Sequence, residues 1–170
     1  FGECCEHIES ELNPPLIALI EKAQALGVPW LTDDDEFSLG FGASTQVWTV
    51  DKLPKPEEVH WDKYQPIPVA LITGTNGKST SVRLASELVK HSGKRWGVTS
   101  TDFIRVGDNI IDRGDYSGPG GARTLLRHRD VEVALLEVAR GGILRRGLPI
   151  PEVDCALITN VAEDHLGQYG

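Results

Sequence analysis

Apolar positions recur at helical spacing after Asn13-Pro14-Pro15, at Leu16, Ile17, Ile20 and Ala23, and Gly27 ends the run. Asparagine before a proline opens a helix and glycine closes one, so the pattern predicts a helix between them. Glu36 to Phe41 and Gln46 to Val50 flank Gly42-Ala43-Ser44 and predict a hairpin. Residues 51–68 carry four prolines among charged residues and read as a linker. From Val69 the pattern changes. Val69 to Thr73 is a short unbroken apolar run, as in a parallel strand buried on both faces. A glycine-rich turn follows, then a helix over Ser81 to His91 with Val82, Leu84, Ala85, Leu88 and Val89 expected on its buried side. Trp96 to Thr99 predicts a second strand, and Phe103 to Val106 with Ile110 to Asp112 a second hairpin about Gly107-Asp108-Asn109. Ala122 to Arg129 predicts a helix, and Val131 to Val138 and Asp154 to Thr159 two more buried strands.

Strands alternating with helices predict an α/β fold with a mostly parallel, doubly wound sheet, preceded by a small α+β N-terminal segment. The expected division is residues 1–50 for that segment, 51–68 for the linker and 69–170 for a nucleotide-binding domain.

Composition changes this picture little. A chain of 170 residues, 40% hydrophobic, can bury a core, and 17 Lys+Arg against 25 Asp+Glu give a net charge of −8. That acidic balance excludes a general nucleic-acid binder, which needs a basic footprint. No apolar run approaches the length of a membrane span, and no signal-peptide pattern opens the chain. Cys4, Cys5 and Cys155 are odd in number, with two adjacent, so they read as reduced thiols of a cytoplasmic protein. Cys4, Cys5 and His7 lack the usual zinc spacing. The absence of Met and the stop at Gly170 predict an excerpt of a longer polypeptide.

The chemistry concentrates in Thr73-Gly74-Thr75-Asn76-Gly77-Lys78-Ser79-Thr80, between a strand and a helix. Glycines let several backbone N–H groups face one anion, and the helix start adds its positive end. Lys78 supplies a charge for the β- and γ-phosphates and Ser79 a hydroxyl for Mg²⁺. The usual P-loop has a further glycine five residues before Gly77, where this chain has Ile72. Glu137 ends an apolar strand; it either reaches the Mg²⁺ held by Ser79 or faces solvent. After the next strand, Asn160 leads to Asp164-His165, where His165 either binds a second divalent ion, is oriented by Asp164, or is a loop histidine in water.

In these residues the chain resembles the Mur ligase superfamily of ATP-dependent acid–amino-acid ligases. Gly74 to Ser79 is similar to the family's short phosphate loop, which also lacks the first glycine. Glu137 stands where the family's Mg²⁺-binding glutamate stands, and Asn160 to Leu166 is similar to the segment whose histidine binds the second Mg²⁺. Thr101-Asp102, Gly114 to Pro119, Leu136 to Arg145 and Thr159 to Gly167 look most like the Mur-like region of the cyanophycin-synthetase branch. The resemblance covers Pro68 to Gly170.

It implies a central ATP-binding domain, ATP and Mg²⁺ as cofactors, and amide formation through an acyl phosphate. It implies Lys78, Glu137 and His165 as catalytic residues, with Ser79, Glu137 and His165 on metal. The nucleotide set is Gly74, Thr75, Asn76, Gly77, Lys78, Ser79, Thr80 and Asn160. The implied partners are a carboxylate substrate, an amino-acid amine and a missing C-terminal ligase domain; oligomerisation is compatible with it. Thr99, Thr101 and Asp115 are expected to line the acceptor pocket. Arg140 either holds the acid substrate or lies on a solvated basic helix face. A P-loop module or NTPase without ligase activity is the alternative, and among ligases a peptidoglycan-precursor or folylpolyglutamate enzyme.

Overall fold

The computed structural model describes residues 13–163. Helix α1 (Pro14–Leu26) starts where Asn13 Oδ1 accepts the Leu16 N–H and stops at Gly27, which takes the left-handed conformation. Leu19 and Ala23 are its buried residues, whereas Ile17 is exposed. A small antiparallel sheet follows, β1 (Trp30–Thr32), β2 (Glu36–Leu39) and β3 (Gln46–Thr49), with a 3-10 turn at Gly42–Ser44 between β2 and β3. The β2–β3 hairpin is the expected one, and β1 adds a strand that three residues of alternation were too few to reveal. Residues 51–68 make two further 3-10 turns, and Trp61 and Tyr64 pack with Leu19, Phe37 and Leu39 in a small aromatic core.

The remainder is a six-stranded sheet in the order β7-β6-β5-β8-β4-β9. It comprises β4 (Val69–Thr73), β5 (Trp96–Thr99), β6 (Phe103–Val106), β7 (Asn109–Arg113), β8 (Val133–Glu137) and β9 (Cys155–Ile158). Strands β5, β8, β4 and β9 are parallel, while β6 and β7 return antiparallel as the expected hairpin. Helix α2 (Lys78–His91) covers one face, its Val82 packing with Ile72, Trp96, Val98 and Leu135. Helix α3 (Pro119–Leu126) covers the other, over Leu71, Ile104, Ala134 and Leu136. Two covered faces are why β4, β5 and β8 are continuous apolar runs. Helix α4 (Arg140–Arg146) lies between β8 and β9.

Two burial expectations are corrected. Strand β9, expected to be buried, lies at the end of the strand order among the described residues and is exposed along its whole length. Helix α2 covers less with its apolar residues than expected. Val82, Ala85, Ser86 and Val89 of α2 face the sheet, but Leu84 and Leu88 are 63% and 75% exposed. At about 100° per residue these leucines fall on the far side of the helix, so α2 carries more apolar residues than its core face uses. Among the described residues no helix is long and apolar enough to cross a membrane.

Candidate functional site

Parallel β8, β4 and β9 lie side by side, so the segments leaving their carboxyl ends meet. Chain order reaches β8 on one side of β4 and β9 on the other, and such a reversal opens the crevice where open α/β sheets bind ligands. Three segments converge there: Gly74–Gly77 after β4, Glu137 at the end of β8, and Thr159–Ala162 after β9.

Gly74 has a φ of 134°, and a Cβ there would overlap the Thr159 side chain, so both conformation and space require glycine. Helix α2 begins at Lys78, and the N–H groups of its first turn point out of the helix end with no preceding carbonyl to bond. The Lys78 ammonium folds back and donates to the carbonyls of Gly74 (2.8 Å) and Thr75 (3.0 Å). Ser79 Oγ donates to Glu137 Oε1 at 3.1 Å. This joins the helix start to the neighbouring strand end. Thr80 is exposed beside it.

Glu137 is 1% exposed, and its Oε2 has no hydrogen-bond partner. Burial pushes its carboxyl above the ordinary value; the Ser79 hydroxyl, the Thr101 N–H and the Lys78 charge pull the other way, and Asp102 adds to the rise. A buried carboxylate oxygen without a partner, next to a serine hydroxyl, is a hard-oxygen donor set of the kind Mg²⁺ takes. The residues present therefore fit that ion.

Asn160 lies against the glycine-rich loop. Its side chain engages the loop itself: Oδ1 accepts from the Asn76 N–H (3.0 Å) and Nδ2 donates to the Asn76 carbonyl (3.2 Å). Thr159 had no assigned role, yet its hydroxyl donates to the same carbonyl at 2.6 Å. The need for glycine at position 74 was the sequence signal that another chain segment approaches closely.

Asp115 accepts from the Ser117 N–H (3.0 Å) and hydroxyl (2.7 Å), shaping the turn that leads into α3. Thr99 is buried on the α3 face with Oγ1 unpartnered, whereas Thr101 is exposed. Arg140 is exposed at the start of α4. Sequence reading missed the pair of Arg83 with Asp102 (2.7 Å), which flanks Glu137. Asp164, His165, Cys4, Cys5 and His7 lie outside the described residues. Among the described residues, no three His, Cys, Asp or Glu gather as a metal cluster. Two concavities, of about 610 Å³ beside Lys63 and Arg129 and about 580 Å³ between Val28 and Val153, lie away from these strand ends.

Comparison with known proteins bears on the same region. The cyanophycin synthetase of Geminocystis herdmanii is 52% identical over 101 residues, 59% of this chain and 12% of that protein. That of Synechocystis sp. is 48% identical over the same share of each. A UDP-N-acetylmuramoyl-L-alanyl-D-glutamate–2,6-diaminopimelate ligase of Listeria monocytogenes is 28% identical over 110 residues, 62% of this chain and 22% of that one. A solved structure under that same enzyme name superposes with a TM-score of 0.51 at 24% identity, covering 62% of this chain and 22% of the other, and shows the shared fold. The chain thus spans about an eighth of the length of the cyanophycin synthetases it matches. The family model for the Mur ligase middle domain matches residues 72–170, more than half of the sequence, and the chain belongs to that family.

Proposed function

We propose that this chain is the nucleotide-binding part of a ligase that uses ATP to join a carboxylate to an amino-acid amine. The observation that carries the reading is the meeting of Lys78, Ser79 and Glu137 across the ends of β4 and β8, with one Glu137 oxygen bonded to Ser79 and the other buried without a partner. A phosphoryl group passes from ATP to the substrate carboxylate, the amine attacks the acyl phosphate, and the acyl–oxygen bond breaks to leave an amide, ADP and phosphate.

In this reading Gly74 to Gly77 shape the loop, and the N–H groups at the start of α2 bind phosphate oxygens. Lys78 exchanges its two carbonyl partners for the β- and γ-phosphates. Ser79, with Thr80 beside it, and Glu137 hold Mg²⁺, and His165 holds a second ion. The ions supply charge neutralisation where the carboxylate and the polyphosphate meet. Thr101, Asp115 and Arg140 face the acid substrate, and a further domain brings the amine. Residues 69–170 form the nucleotide-binding unit, and the segment before them is its attachment. The higher identity to cyanophycin synthetases than to the diaminopimelate ligase favours the former branch.

Calorimetric titration with ATP and Mg²⁺ tests the nucleotide reading. Lys78→Ala is expected to weaken binding at least a hundredfold, as loss of a desolvated charge–phosphate contact does, roughly 3 kcal/mol. Unchanged affinity overturns it. In the full-length polypeptide, phosphate release should require both a carboxylate and an amine. Release without either would make the protein an NTPase.

A further inference from the structure

The ladder between β4 and β9 does not stop where the strands stop. Thr159 N–H donates to the Thr73 carbonyl (3.0 Å), and Thr75 N–H donates to the Asn160 carbonyl (3.0 Å). Beyond that point side chains continue the pairing. The Asn160 carboxamide bonds both the N–H and the carbonyl of Asn76, as a neighbouring strand would. The Thr159 hydroxyl takes the second lone pair of that carbonyl. Thr75 Oγ1 closes the array by accepting from the Ala162 N–H (3.0 Å). Gly74, the hinge of this loop, lies directly against Thr159. A loop with two glycines in four residues has high conformational freedom when unheld, and any ligand that orders it must offset that entropy.

We infer that Thr159 and Asn160 are positioning residues that hold the phosphate loop ready in the free chain, and that Asn160 acts through the loop backbone without touching the nucleotide. The inference rests on the phosphate-loop reading above. It has a consequence for the anion seat. With the Thr75 and Asn76 amides bonded to Asn160, phosphate oxygens are met by the amides from Gly77 onward, at the start of α2. Chemistry also distinguishes the variants. Asn160→Ala removes both side-chain bonds. Asn160→Asp keeps an acceptor for the Asn76 N–H but turns a second acceptor, and a charge, toward the Asn76 carbonyl and the anion seat. Thr159→Val removes the hydroxyl, and Thr159→Ser keeps it.

The test uses the whole chain and three probes: ATP, ADP and inorganic tripolyphosphate. Asn160→Ala is expected to lower affinity for all three by a common factor of about ten, the size of two hydrogen bonds partly replaced by water. Asn160→Asp should lower it further, and Thr159→Ser should bind like the parent where Thr159→Val does not. In the free chain, hydrogen exchange at the Asn76 amide, which loses its side-chain acceptor, should quicken about tenfold in Asn160→Ala while the amides of β5 and β8 stay as protected as before. That local change is one a general loss of stability would not produce. Affinity lost for ATP and ADP but retained for tripolyphosphate would place Asn160 on the nucleoside and overturn the inference. So would unchanged exchange at the Asn76 amide. If the parent chain binds none of the three probes, the phosphate-loop reading fails, and the exchange measurement still decides whether the brace exists.

Discussion

A single buried carboxylate shows how the site stores unmet demand. Burial lifts the proton affinity of Glu137 above the ordinary value near 4.5, against the pull of the Ser79 hydroxyl, the Thr101 amide and the Lys78 charge. The sign of the consequence follows from linkage. The folded chain holds this proton to a higher pH than the unfolded chain does. The carboxyl therefore costs stability progressively as pH rises from about 4.5 through its folded value, and the cost persists above it. Glu137→Gln keeps the shape and removes the titration. In urea melts without divalent ions, the variant is expected to gain stability relative to the parent as pH rises from about 4 to about 8. A constant difference across that range would show that the Glu137 carboxyl titrates alike in the folded and unfolded chains.

At the scale of elements, helix α3 is fastened to the small sheet by charge. Arg127, with its side chain only 12% exposed, bonds Asp33 (2.9 Å) and Glu36 (2.7 Å) and donates to the Ser38 hydroxyl (3.1 Å). Arg123 adds a longer contact to Asp33 at 3.4 Å. Burial works to raise the Asp33 carboxyl, but the Glu36 and Asp35 amides and the Arg127 guanidinium outweigh it and hold it below the usual 3.8. Arg127→Ala should cost about 2 kcal/mol near neutral pH, less than a fully buried pair because Glu36 is half in water. Because a depressed carboxyl contributes stability above its unfolded value and loses it in acid, the gap between parent and variant should close as pH falls below about 3.8. Denaturant titrations at pH 7 and pH 3 read both effects. None of this was legible in the sequence, since Asp33 and Arg127 lie far apart in the chain and each looks like an ordinary surface charge. The ends of α1 were legible because Asn13 and Gly27 act locally. So were the strand–loop–helix about Gly74 to Gly77 and the limits of β5, where an apolar run and its punctuation suffice. Leu84 and Leu88 misled because composition along a helix does not say how wide its covered face is. Thr159 escaped because its role depends on a register between β4 and β9 that exists only in the assembled sheet.

Across the whole molecule, the N-terminal segment shares its interior with the large sheet. Leu31 and Phe41 leave the small aromatic core and enter the main one with Val69, Leu71, Leu126 and Val131. Gly42 meets the Val131 carbonyl so closely that a Cβ would overlap it, and Phe41 N–H donates to Gln65 O across the proline-rich stretch. Arg127 then adds its ion pairs over the same junction. Apolar continuity of this kind makes separate melting expensive, because opening either part exposes side chains of the other. The chain is therefore expected to unfold as one cooperative unit. Its tryptophans provide the means of measurement: Trp30, Trp48 and Trp61 pack about the small core, and Trp96 lies under α2 in the large sheet. Fluorescence thus reports mainly the N-terminal segment, while far-ultraviolet circular dichroism reports mainly the larger sheet and its helices. In the parent chain the two urea transitions should coincide. In Phe41→Ala, which opens a cavity at the junction and costs about 3 kcal/mol, fluorescence should change at lower urea than dichroism does. Two separate transitions in the parent would mean that the shared core does not couple the parts, and that residues 13–68 fold on their own account.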